Sequence, residues 1–532
     1  MDRLLVSAAH KSSGKTTVTL GLCAALAARG AVVQPFKKGP DYIDPMWLTR
    51  AAGRPCLNLD AYLMDDTALA RCFAEGLRGA DLALVEGNKG LYDGLALDGS
   101  NSNAALAQRL GLPVLLVIDA RGMTRGIAPL ILGYQAFDRN IRIGGVILNR
   151  LGGSRHEAKL RAVIEHYTDV PVLGAVAEDK RLAVLERHLG LMPCAELDDA
   201  QARVQSIGRI IAAQVDLERV RALAATAGAG PDLPAMAAAP SRPTDLRIGI
   251  AQDRAFGFYY PDDLAALQAA GAELVPIDTL HDTQLPDIDG LFIGGGFPEA
   301  CMQALEANTD LRSALRQAIE AGLPTYAECG GLMYLARSIT WQGHTASMVG
   351  AIPGDAVMHE RPVGRGYVLL QETAAMPWAA GGETQLRGHE FHHSSLENLD
   401  PDVGFAYRVQ RGHGVDGVHD GVLVHNLLAS YAHLRSAAGT SWAPRFVDFV
   451  RRQREQRLVA DRVAARTPPP GSSPRHQREP RTHLKGLHHV QCHSHGFAGN
   501  PRCSRPQRSR RLGAARRRTP GGRWLDRIRH GL

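Results

Sequence analysis

The sequence of 532 residues predicts an α/β protein of two domains, the first built around a parallel sheet and the second with its own α/β pattern. Short apolar runs alternate with helical stretches, which is typical of parallel strands buried on both faces by helices. Residues 225–245 interrupt this alternation with Ala, Gly and Pro and few large apolar groups, as expected of an interdomain linker. The predicted domains are therefore residues 1–224 and 246–450.

The first domain is predicted from apolar runs of strand length that end in polar residues or glycine. The predicted strands are 2–8, 31–37, 81–87, 113–120, 142–150 and 171–176. A stretch rich in Ala and Leu predicts a helix at 16–29, closed by Gly30.

The second domain repeats this alternation. Strands are predicted at 246–253, 289–296 and 324–331, and helices at 261–270, 311–322 and 332–339. The pattern ends at about Arg451, and the remainder to residue 532 is predicted to be a basic, disordered tail because it has little to bury.

Composition limits the classes of protein. A chain with 45% hydrophobic and 22% charged residues fits a globular protein and excludes a fibrous one. We expect no membrane association, because no apolar run reaches about 18 residues, and no signal peptide, because a glycine-lysine loop follows the first short apolar run. Eight scattered cysteines make no disulfide framework, so a reducing, cytoplasmic location is expected.

The net charge of +7 comes from the end of the chain. Residues 465–532 carry 16 Lys and Arg against 2 Asp and Glu, whereas the other residues carry 45 against 52. Nucleic-acid binding by the whole protein is therefore not predicted. The tail itself is open to three interpretations: a basic binding arm, an out-of-frame extension, or a metal site in HHVQCHSH, whose spacing fits no standard zinc pattern.

The segment Ala9 to Thr16 follows a predicted strand and opens a helix, as a phosphate-binding loop does. Ala9 replaces the first glycine of the pattern, and the rest fits. Backbone N–H groups at the helix start would hold the phosphates of ATP. Gly14, Lys15, Thr16 and Thr17 are the predicted nucleotide-binding residues. The alternative is a Gly-Lys turn before an ordinary helix.

Four acidic residues stand at the predicted ligand edge of the first sheet. Asp41 and Asp44 follow the second strand, Glu86 ends the third, and Asp93 lies just beyond it. With the Thr16 hydroxyl they offer oxygen ligands for Mg²⁺. Asn149 ends another strand, where it either contacts adenine or lies in a turn.

A cysteine stands on a second sharp turn. Cys329 follows an apolar strand and precedes Gly330 and Gly331, a geometry that exposes a nucleophile and offers N–H groups to an oxyanion. The alternative is a small buried cysteine. The nucleophile needs a base, and the candidates are His389, His392, His393 and His433. The glycines 294–296 are candidates for the second oxyanion donor.

Together these segments resemble the cobyrinate a,c-diamide synthase family, from residue 1 to about residue 450. The matching segments, in the family's order, are HKSSGKTT, FKKGPDYIDP, VEGNKGLYDG, RHLGL, GGGFPE, AECGGLMYL, GHEFHHS and SYAHL. The resemblance implies an N-terminal phosphate-loop domain similar to dethiobiotin synthetase and a C-terminal class I glutamine amidotransferase domain. It implies ATP- and glutamine-dependent amidation of tetrapyrrole carboxylates, with cobyrinate as the expected substrate.

The resemblance also implies residue roles. Cys329 would attack the glutamine amide and His433 would activate it. Class I amidotransferases often place Glu two residues after that histidine, where this chain has Arg435, so the third member of the catalytic set stays open.

In the other domain the resemblance assigns ATP to Lys15 and Thr16, which belong to the predicted nucleotide-binding set of Gly14, Lys15, Thr16, Thr17 and Asn149. It assigns Mg²⁺ to Thr16, Asp41 and Glu86, and the macrocycle to Tyr42, Ile43, Asp44 and Asp93.

Two alternative functions remain at this stage. Asn88 and Lys89 stand where apolar residues are common in the family, and a lysine beside the substrate would pair with an extra carboxylate, as in amidases of sirohaem or nickel-sirohydrochlorin. A partitioning-type regulatory ATPase is the alternative of another class. The expected partners are the tetrapyrrole, glutamine and ATP, and a homodimer stays open.

Overall fold

The protein is described by a computed structural model that covers residues 1–182, 186–187, 190–193, 196–197, 199–228, 242–379, 384–437 and 441–466. Most of the predicted linker, part of the RHLGL segment and the chain from residue 467 onward lie outside the described residues. None of the helices in the described ranges is long and apolar enough to span a membrane.

The first sheet has seven parallel strands, which confirms the predicted parallel architecture. They are β1 (Asp2–Ala8), β2 (Val33–Lys38), β3 (Leu57–Leu59), β4 (Leu82–Glu86), β5 (Val114–Asp119), β6 (Ile143–Leu151) and β7 (Val172–Ala177). Their order in space is β3-β2-β4-β1-β5-β6-β7. The carboxyl ends of β1, β2 and β4 therefore meet at one edge, where parallel sheets bind ligands.

Helices cover both faces of this sheet, with one apolar core on each side. The helices are α1 (Lys15–Ala28), α2 (Ile43–Ala52), α3 (Asp66–Leu77), α4 (Asn103–Leu110), α5 (Ile127–Phe137), α6 (Ser154–Tyr167), α7 (Ala200–Gln214) and α8 (Leu217–Ala225). Two short antiparallel strands, β8 (Glu186–Arg187) and β9 (Gly190–Leu191), lie between α6 and α7 in the sequence.

The second domain contains a ten-stranded sheet, a four-stranded sheet and a small two-stranded ribbon. Its strands are β10 (Leu246–Ala251), β11 (Phe256–Phe258), β12 (Ala272–Ile277), β13 (Gly290–Ile293), β14 (Gly295–Gly296), β15 (Thr325–Glu328), β16 (Ser338–Trp341), β17 (His344–Ser347), β18 (Asp355–Met358), β19 (Gly364–Glu372), β20 (Gln385–His392), β21 (Ser394–Glu397), β22 (Gly404–Arg411), β23 (His419–Val424), β24 (Leu427–Ser430) and β25 (His433–Leu434). The large sheet runs β12-β10-β13-β15-β24-β23-β22-β19-β20-β25. It is parallel from β12 to β24 and antiparallel beyond β24.

The helices of this domain are α9 (Pro261–Ala269), α10 (Met302–Ala307), α11 (Thr309–Glu320), α12 (Gly330–Leu335) and α13 (Trp442–Arg466). The helix predicted over 332–339 is too long, because α12 ends at Leu335 and Ile339 lies fully buried in β16. Ile339 and Thr340 are β-branched, which favours a strand over a helix at this point.

The predicted boundary at residue 450 is also wrong, because α13 continues to Arg466. The part of α13 beyond residue 450 is rich in Arg and Gln, which are good helix formers. Arg451 pairs with Asp245 at 2.8 Å and Arg454 with Asp289 at 3.4 Å, so this part is tied to the second domain. Residues Met1–Thr467 form one compact unit that contains both sheets.

Candidate active site

The phosphate loop leaves β1 and enters α1 through Gly14. This glycine has φ +89°, and a Cβ there would lie 2.1 Å from the Asn149 Nδ2 atom. The Asn149 amide also donates a hydrogen bond to the Ser13 carbonyl oxygen at 2.9 Å. Asn149 therefore braces the loop from the end of β6, and only glycine fits beneath its amide.

Three of the predicted nucleotide-binding residues open α1 together. Lys15 is buried, and burial together with the nearby Lys37 lowers the pKa of its ammonium. The Thr16 hydroxyl donates to the Glu86 Oε1 atom at 2.6 Å. Thr17 is half-buried beside them. The structure thus brings the loop lysine, the Thr16 hydroxyl and an acidic strand end into one group.

Lys37 lies at the centre of the predicted acidic cluster. Its Nζ atom is 2.9 Å from Glu86 Oε1 and 3.7 Å from Asp41 Oδ2, and it also pairs with Asp44. Burial alone would lower the pKa of Lys37, but the attraction of these carboxylates outweighs burial and raises it. Burial and the nearby Asp44 raise the pKa of Asp41 to about 7.

These carboxylates suit Mg²⁺ by donor chemistry. Glu86 Oε2 is buried and has no hydrogen-bond partner within the described ranges, although Oε1 of the same group is shared by Thr16 and Lys37. The described residues contain no ready-made cage of three acidic, His or Cys ligands. Mg²⁺ usually needs only one or two carboxylates, with substrate phosphates and waters completing its shell. The residues present fit that mode of binding.

Asp93 lies in the loop after β4 and holds a turn. Its Oδ2 atom accepts a hydrogen bond from the Gly90 N–H at 2.8 Å. Asn103 clamps the same loop from α4, since its side chain bonds the backbone of both Asn88 and Gly90. Between these anchors Lys89 is exposed and has φ +41°, a left-handed conformation that is costly for a residue with a side chain.

Cys329 joins β15 to α12 and has φ +47°. Its N–H donates to the Ser430 carbonyl oxygen at 2.7 Å, so the neighbouring strand β24 fixes the strained turn. The residue is 8% exposed and lines a cavity. Cys329 thus stands on the turn between a strand and a helix, as the sequence predicts, with its side chain largely buried.

His433 meets a partner that the sequence reasoning missed. Its Nδ1 atom lies 3.3 Å from the Oε2 atom of Glu328, the residue directly before the cysteine. The other oxygen of Glu328 accepts from the Leu434 N–H at 2.9 Å and from the Tyr326 hydroxyl at 2.7 Å. Burial opposes protonation of His433, but Cys329 and Glu328 raise its pKa to about 10. The sequence offered one signal for this pairing, because an acidic residue, Glu328, stands directly before the predicted nucleophile.

Arg435 occupies the position where the related amidotransferases often carry Glu. In the structure its guanidinium pairs with Asp262 at 2.6 Å. The acidic partner of His433 is therefore Glu328, supplied by the nucleophile strand itself.

The other candidate bases line the same cavity as Cys329 but make different contacts. His389 stacks on His433 with ring centroids 5.2 Å apart. His392 stacks on Tyr431, and its Nδ1 atom lies 2.7 Å from the Ser394 carbonyl oxygen. His393 faces the carbonyl oxygen of His359.

Among the three candidate glycines, Gly294 is excluded as an oxyanion donor because its N–H donates to the Tyr259 hydroxyl at 3.0 Å. Gly296 lines the cavity beside Cys329. A Cβ on Gly330 would lie 2.9 Å from the Gly296 nitrogen, so the backbones of these two glycines approach closely. Gly296 is therefore the candidate that the structure places beside the Cys329 turn.

One cavity of about 350 Å³ joins the two groups of residues. Its wall includes Cys329 and His433 from the second domain and Asp41, Tyr42 and Ile43 from the first. The Tyr42 ring lies 5.1 Å from the His433 ring. The acidic loop of one sheet and the cysteine turn of the other therefore share a common space.

Two family models match separate parts of the chain. Residues 2–184 match an AAA domain, and residues 247–440 match the CobB/CobQ-like glutamine amidotransferase domain. Among solved structures, PurLQS from Thermotoga maritima is similar with a TM-score of 0.32 and 17% identity, covering 40% of this chain and 99% of that chain.

Three relatives named cobyrinate a,c-diamide synthase match most of the chain. The protein from Magnetococcus marinus is 47% identical, covering 85% of this chain and 97% of the relative. The protein from Methanosarcina acetivorans is 43% identical, covering 82% and 93%. The protein from Listeria monocytogenes is 38% identical, covering 82% and 96%. At this identity and coverage, the chain belongs to the cobyrinate a,c-diamide synthase family of glutamine-dependent carbon–nitrogen ligases.

Proposed function

We propose that this protein converts two side-chain carboxylates of a tetrapyrrole, in first place the a and c carboxylates of cobyrinate, to amides in cobalamin biosynthesis. ATP activates each carboxylate and glutamine supplies the nitrogen. The observation that carries the proposal is the cavity shared by Cys329, His433 and the loop Asp41–Ile43. A glutamine-hydrolysing site and an ATP-dependent site on one cavity can exchange ammonia.

The glutaminase half follows from the Cys329 turn. His433 holds the proton of the thiol as an imidazolium, the sulfur attacks the glutamine amide carbon, and His433 then gives the proton to the amide nitrogen so that ammonia leaves. Backbone N–H groups at the Gly330 turn and at Gly296 stabilise the oxyanion. Water then releases glutamate. Glu328 Oε2 lies 3.3 Å from His433 Nδ1, where it holds the ring and stabilises its charged form.

The synthetase half follows from the phosphate loop. A carboxylate oxygen of the substrate attacks the γ-phosphorus of ATP, and ADP leaves to give an acyl phosphate. Lys15 offsets the charge on the phosphates. Bound Mg²⁺, held by Thr16, Asp41 and Glu86, would supply further charge neutralisation at the phosphates. Tyr42, Ile43, Asp44 and Asp93 stand where the resemblance places the macrocycle.

Ammonia from the first half then attacks the acyl carbon, phosphate leaves, and a proton is released. Free ammonia at neutral pH is mostly ammonium, which has no lone pair for attack. The shared cavity supports direct delivery, because its wall joins Cys329 to the acidic loop.

The experiment compares Cys329→Ala with the unaltered protein, using cobyrinate, ATP and Mg²⁺ with either glutamine or ammonium chloride at alkaline pH. We expect Cys329→Ala to lose amidation with glutamine and to keep it with ammonium. The matched control is Cys301→Ala, a half-buried cysteine of the same domain, which should keep both. Loss of both activities in Cys329→Ala alone would contradict ammonia delivery from this cysteine.

Amidation of sirohaem or nickel-sirohydrochlorin is the second candidate, and Lys89 favours it. This exposed side chain stands on a clamped, left-handed turn beside the cavity-lining residue Asn88. A lysine held there is placed to pair with one more substrate carboxylate. Lys89→Met should raise the KM for such a substrate by up to about fivefold, with the kcat unchanged. If Lys89→Met and the unaltered protein have the same KM for every macrocycle, Lys89 does not have this role.

A further inference from the structure

Arg435 lies two residues after His433 and is fully buried. Its guanidinium pairs with Asp262 of its own domain at 2.6 Å and donates to the Asn58 carbonyl oxygen of the first domain at 2.7 Å. It also lies within 3.8 Å of the Cys72 sulfur, again in the first domain. One side chain therefore connects the strand that carries His433 to the other domain.

Asn58 continues this connection to the acidic loop. Its side-chain amide donates to the carbonyl oxygens of Gly39 and Asp41, at 2.8 and 2.7 Å. Asn58 is 1% exposed, so water does not compete for these bonds. The hydrogen bonds thus run from Arg435 through Asn58 to the backbone of Asp41, which lies directly before Tyr42.

A series of aromatic contacts links Arg435 to Tyr42 by a second route. The Arg435 guanidinium lies 4.9 Å from the Tyr260 ring centroid, and the Tyr260 ring lies 4.5 Å from that of Tyr42. Tyr42 in turn lies 5.1 Å from His433. Arg435 therefore contacts both Asn58 and Tyr260. These two residues in turn contact the loop that carries Tyr42 towards His433.

The strand β25 needs such an anchor. It contains only His433 and Leu434; among the described strands it pairs only with β20, at the edge of the large sheet, and Glu328 adds one bond to the Leu434 N–H. A two-residue edge strand has few bonds of its own to fix the His433 ring, and the bonds of Arg435 begin directly after it.

We propose that Arg435 is a positioning residue that fixes His433 and the acidic loop of the first domain in one arrangement. The proposal rests on the function proposed above. Glu328 has taken the histidine-pairing role, and the residue at the usual Glu position serves to align the two active sites. A buried ion pair is by itself weak evidence of stabilisation, so the expected effect is on geometry and kinetics.

The test is Arg435→Gln, with Arg445→Gln as the matched control. Arg445 is a half-buried arginine of the same domain, but its bonds, to Glu372 at 2.5 Å and to the Trp378 carbonyl oxygen at 2.9 Å, stay within that domain. The measurements are glutaminase activity without tetrapyrrole, ammonium-dependent amidation of cobyrinate, and thermal unfolding of the full chain.

We expect Arg435→Gln to raise the cobyrinate KM of the ammonium-dependent reaction at least about tenfold, because a misplacement of about 1 Å can cost roughly 10²-fold. That reaction uses the first domain and does not need the glutaminase. Glutaminase activity should fall as well. Arg445→Gln should lower the unfolding temperature. It should leave the cobyrinate KM and the glutaminase activity unchanged.

A second pair of variants keeps the test decisive if Arg435→Gln does not fold. Arg435→Lys retains the charge opposite Asp262 but loses the planar set of donors that reaches two partners at once. Asn58→Ala breaks the bonds to Gly39 and Asp41 directly. Both should raise the cobyrinate KM. The double variant Arg435→Lys/Asn58→Ala should have a cobyrinate KM no higher than that of Asn58→Ala alone.

Three outcomes would overturn the proposal: an unchanged cobyrinate KM in folded Arg435→Gln, an unchanged cobyrinate KM in Arg435→Lys, or strictly additive effects in the double variant. Failure of the underlying function gives a different result, because the unaltered protein would then amidate no tetrapyrrole with ammonium.

Discussion

Glu328 and His433 lie 3.3 Å apart, between Oε2 of the acid and Nδ1 of the histidine, and both side chains are 3% exposed. The acid comes from the end of β15 and the histidine from the edge strand β25, so the pair joins two strands that are far apart in the sheet order. The nucleophile Cys329 follows Glu328 directly. One short turn thus provides both the sulfur and the carboxylate that orients its base.

Replacing this acid should impair glutamine hydrolysis. We expect Glu328→Gln to lower the glutaminase kcat by about 10²-fold, in the range typical of general acid–base groups, because His433 loses the charge that holds its protonated form. Ammonium-dependent amidation should change little. The control is Glu372→Gln, a buried acid paired with Arg445 away from His433, which should keep full glutaminase activity. A Glu328→Gln enzyme as active as the unaltered one would exclude the pairing role.

The same pair predicts a pH dependence of stability. The pKa of His433 is raised to about 10 in the folded protein, and Glu328, Cys329, His389 and Tyr42 face its ring. A raised histidine pKa adds stability that is fully present below its unfolded pKa of about 6.5 and is lost as the pH rises through the folded value.

Urea unfolding at several pH values checks this sign. The difference in free energy of unfolding between the unaltered protein and Glu328→Gln should be largest near pH 6 and should shrink as the pH approaches 10. A difference that grows with pH would contradict a protonated, paired His433.

Gly14 should tolerate no side chain. Gly14→Ala places a Cβ 2.1 Å from Asn149 Nδ2 at a φ of +89°, so we expect ATP binding to be lost. Gly30→Ala is the matched control, because Gly30 has φ +86° and open space around it. It should cost only about 1–2 kcal/mol of stability. Calorimetric titration with ATP compares the two, and equal affinities would show that Asn149 does not brace the loop.

Lys37 should be essential for the acidic cluster. Lys37→Met removes the cation between Asp44 and Glu86 and leaves buried carboxylates without it, which typically costs about 3–5 kcal/mol. Lys159→Met, on the exposed face of α6, is the control and should cost almost nothing. Denaturant unfolding measures both, and a loss below about 1 kcal/mol for Lys37→Met would show that the cluster is neutralised in another way.

Much of the fold could be predicted because the buried parallel strands are short, continuous apolar runs. The phosphate loop and the cysteine turn could be located because each follows such a run and contains glycine. The strands from β16 to β23 were not predicted, since most are half-buried and their patterns are weak. The end of α13 was missed because its charged residues resemble the basic tail until their partners are known.

The pairing of side chains was the harder part. Lys37 lies within a recognised motif, yet its central place among three carboxylates depends on the meeting of β2 and β4 at one sheet edge. Glu328 stands beside the nucleophile in the sequence, but its contact with His433 depends on the positive φ at Cys329 and on the position of β25. Contacts between residues about 100 positions apart are not encoded in local spacing.

The most direct test of the account is an end-point assay by mass spectrometry with ATP, Mg²⁺ and glutamine. Cobyrinate, hydrogenobyrinate, sirohaem and nickel-sirohydrochlorin are each offered separately, and each conversion of a carboxyl to an amide is counted from the mass. The account predicts two amidations of cobyrinate, dependent on Cys329 when glutamine is the donor. Amidation of sirohaem or nickel-sirohydrochlorin alone would show that the protein performs the same amidation on that macrocycle, which is the second candidate function. ATP hydrolysis without amidation of any macrocycle would contradict the account.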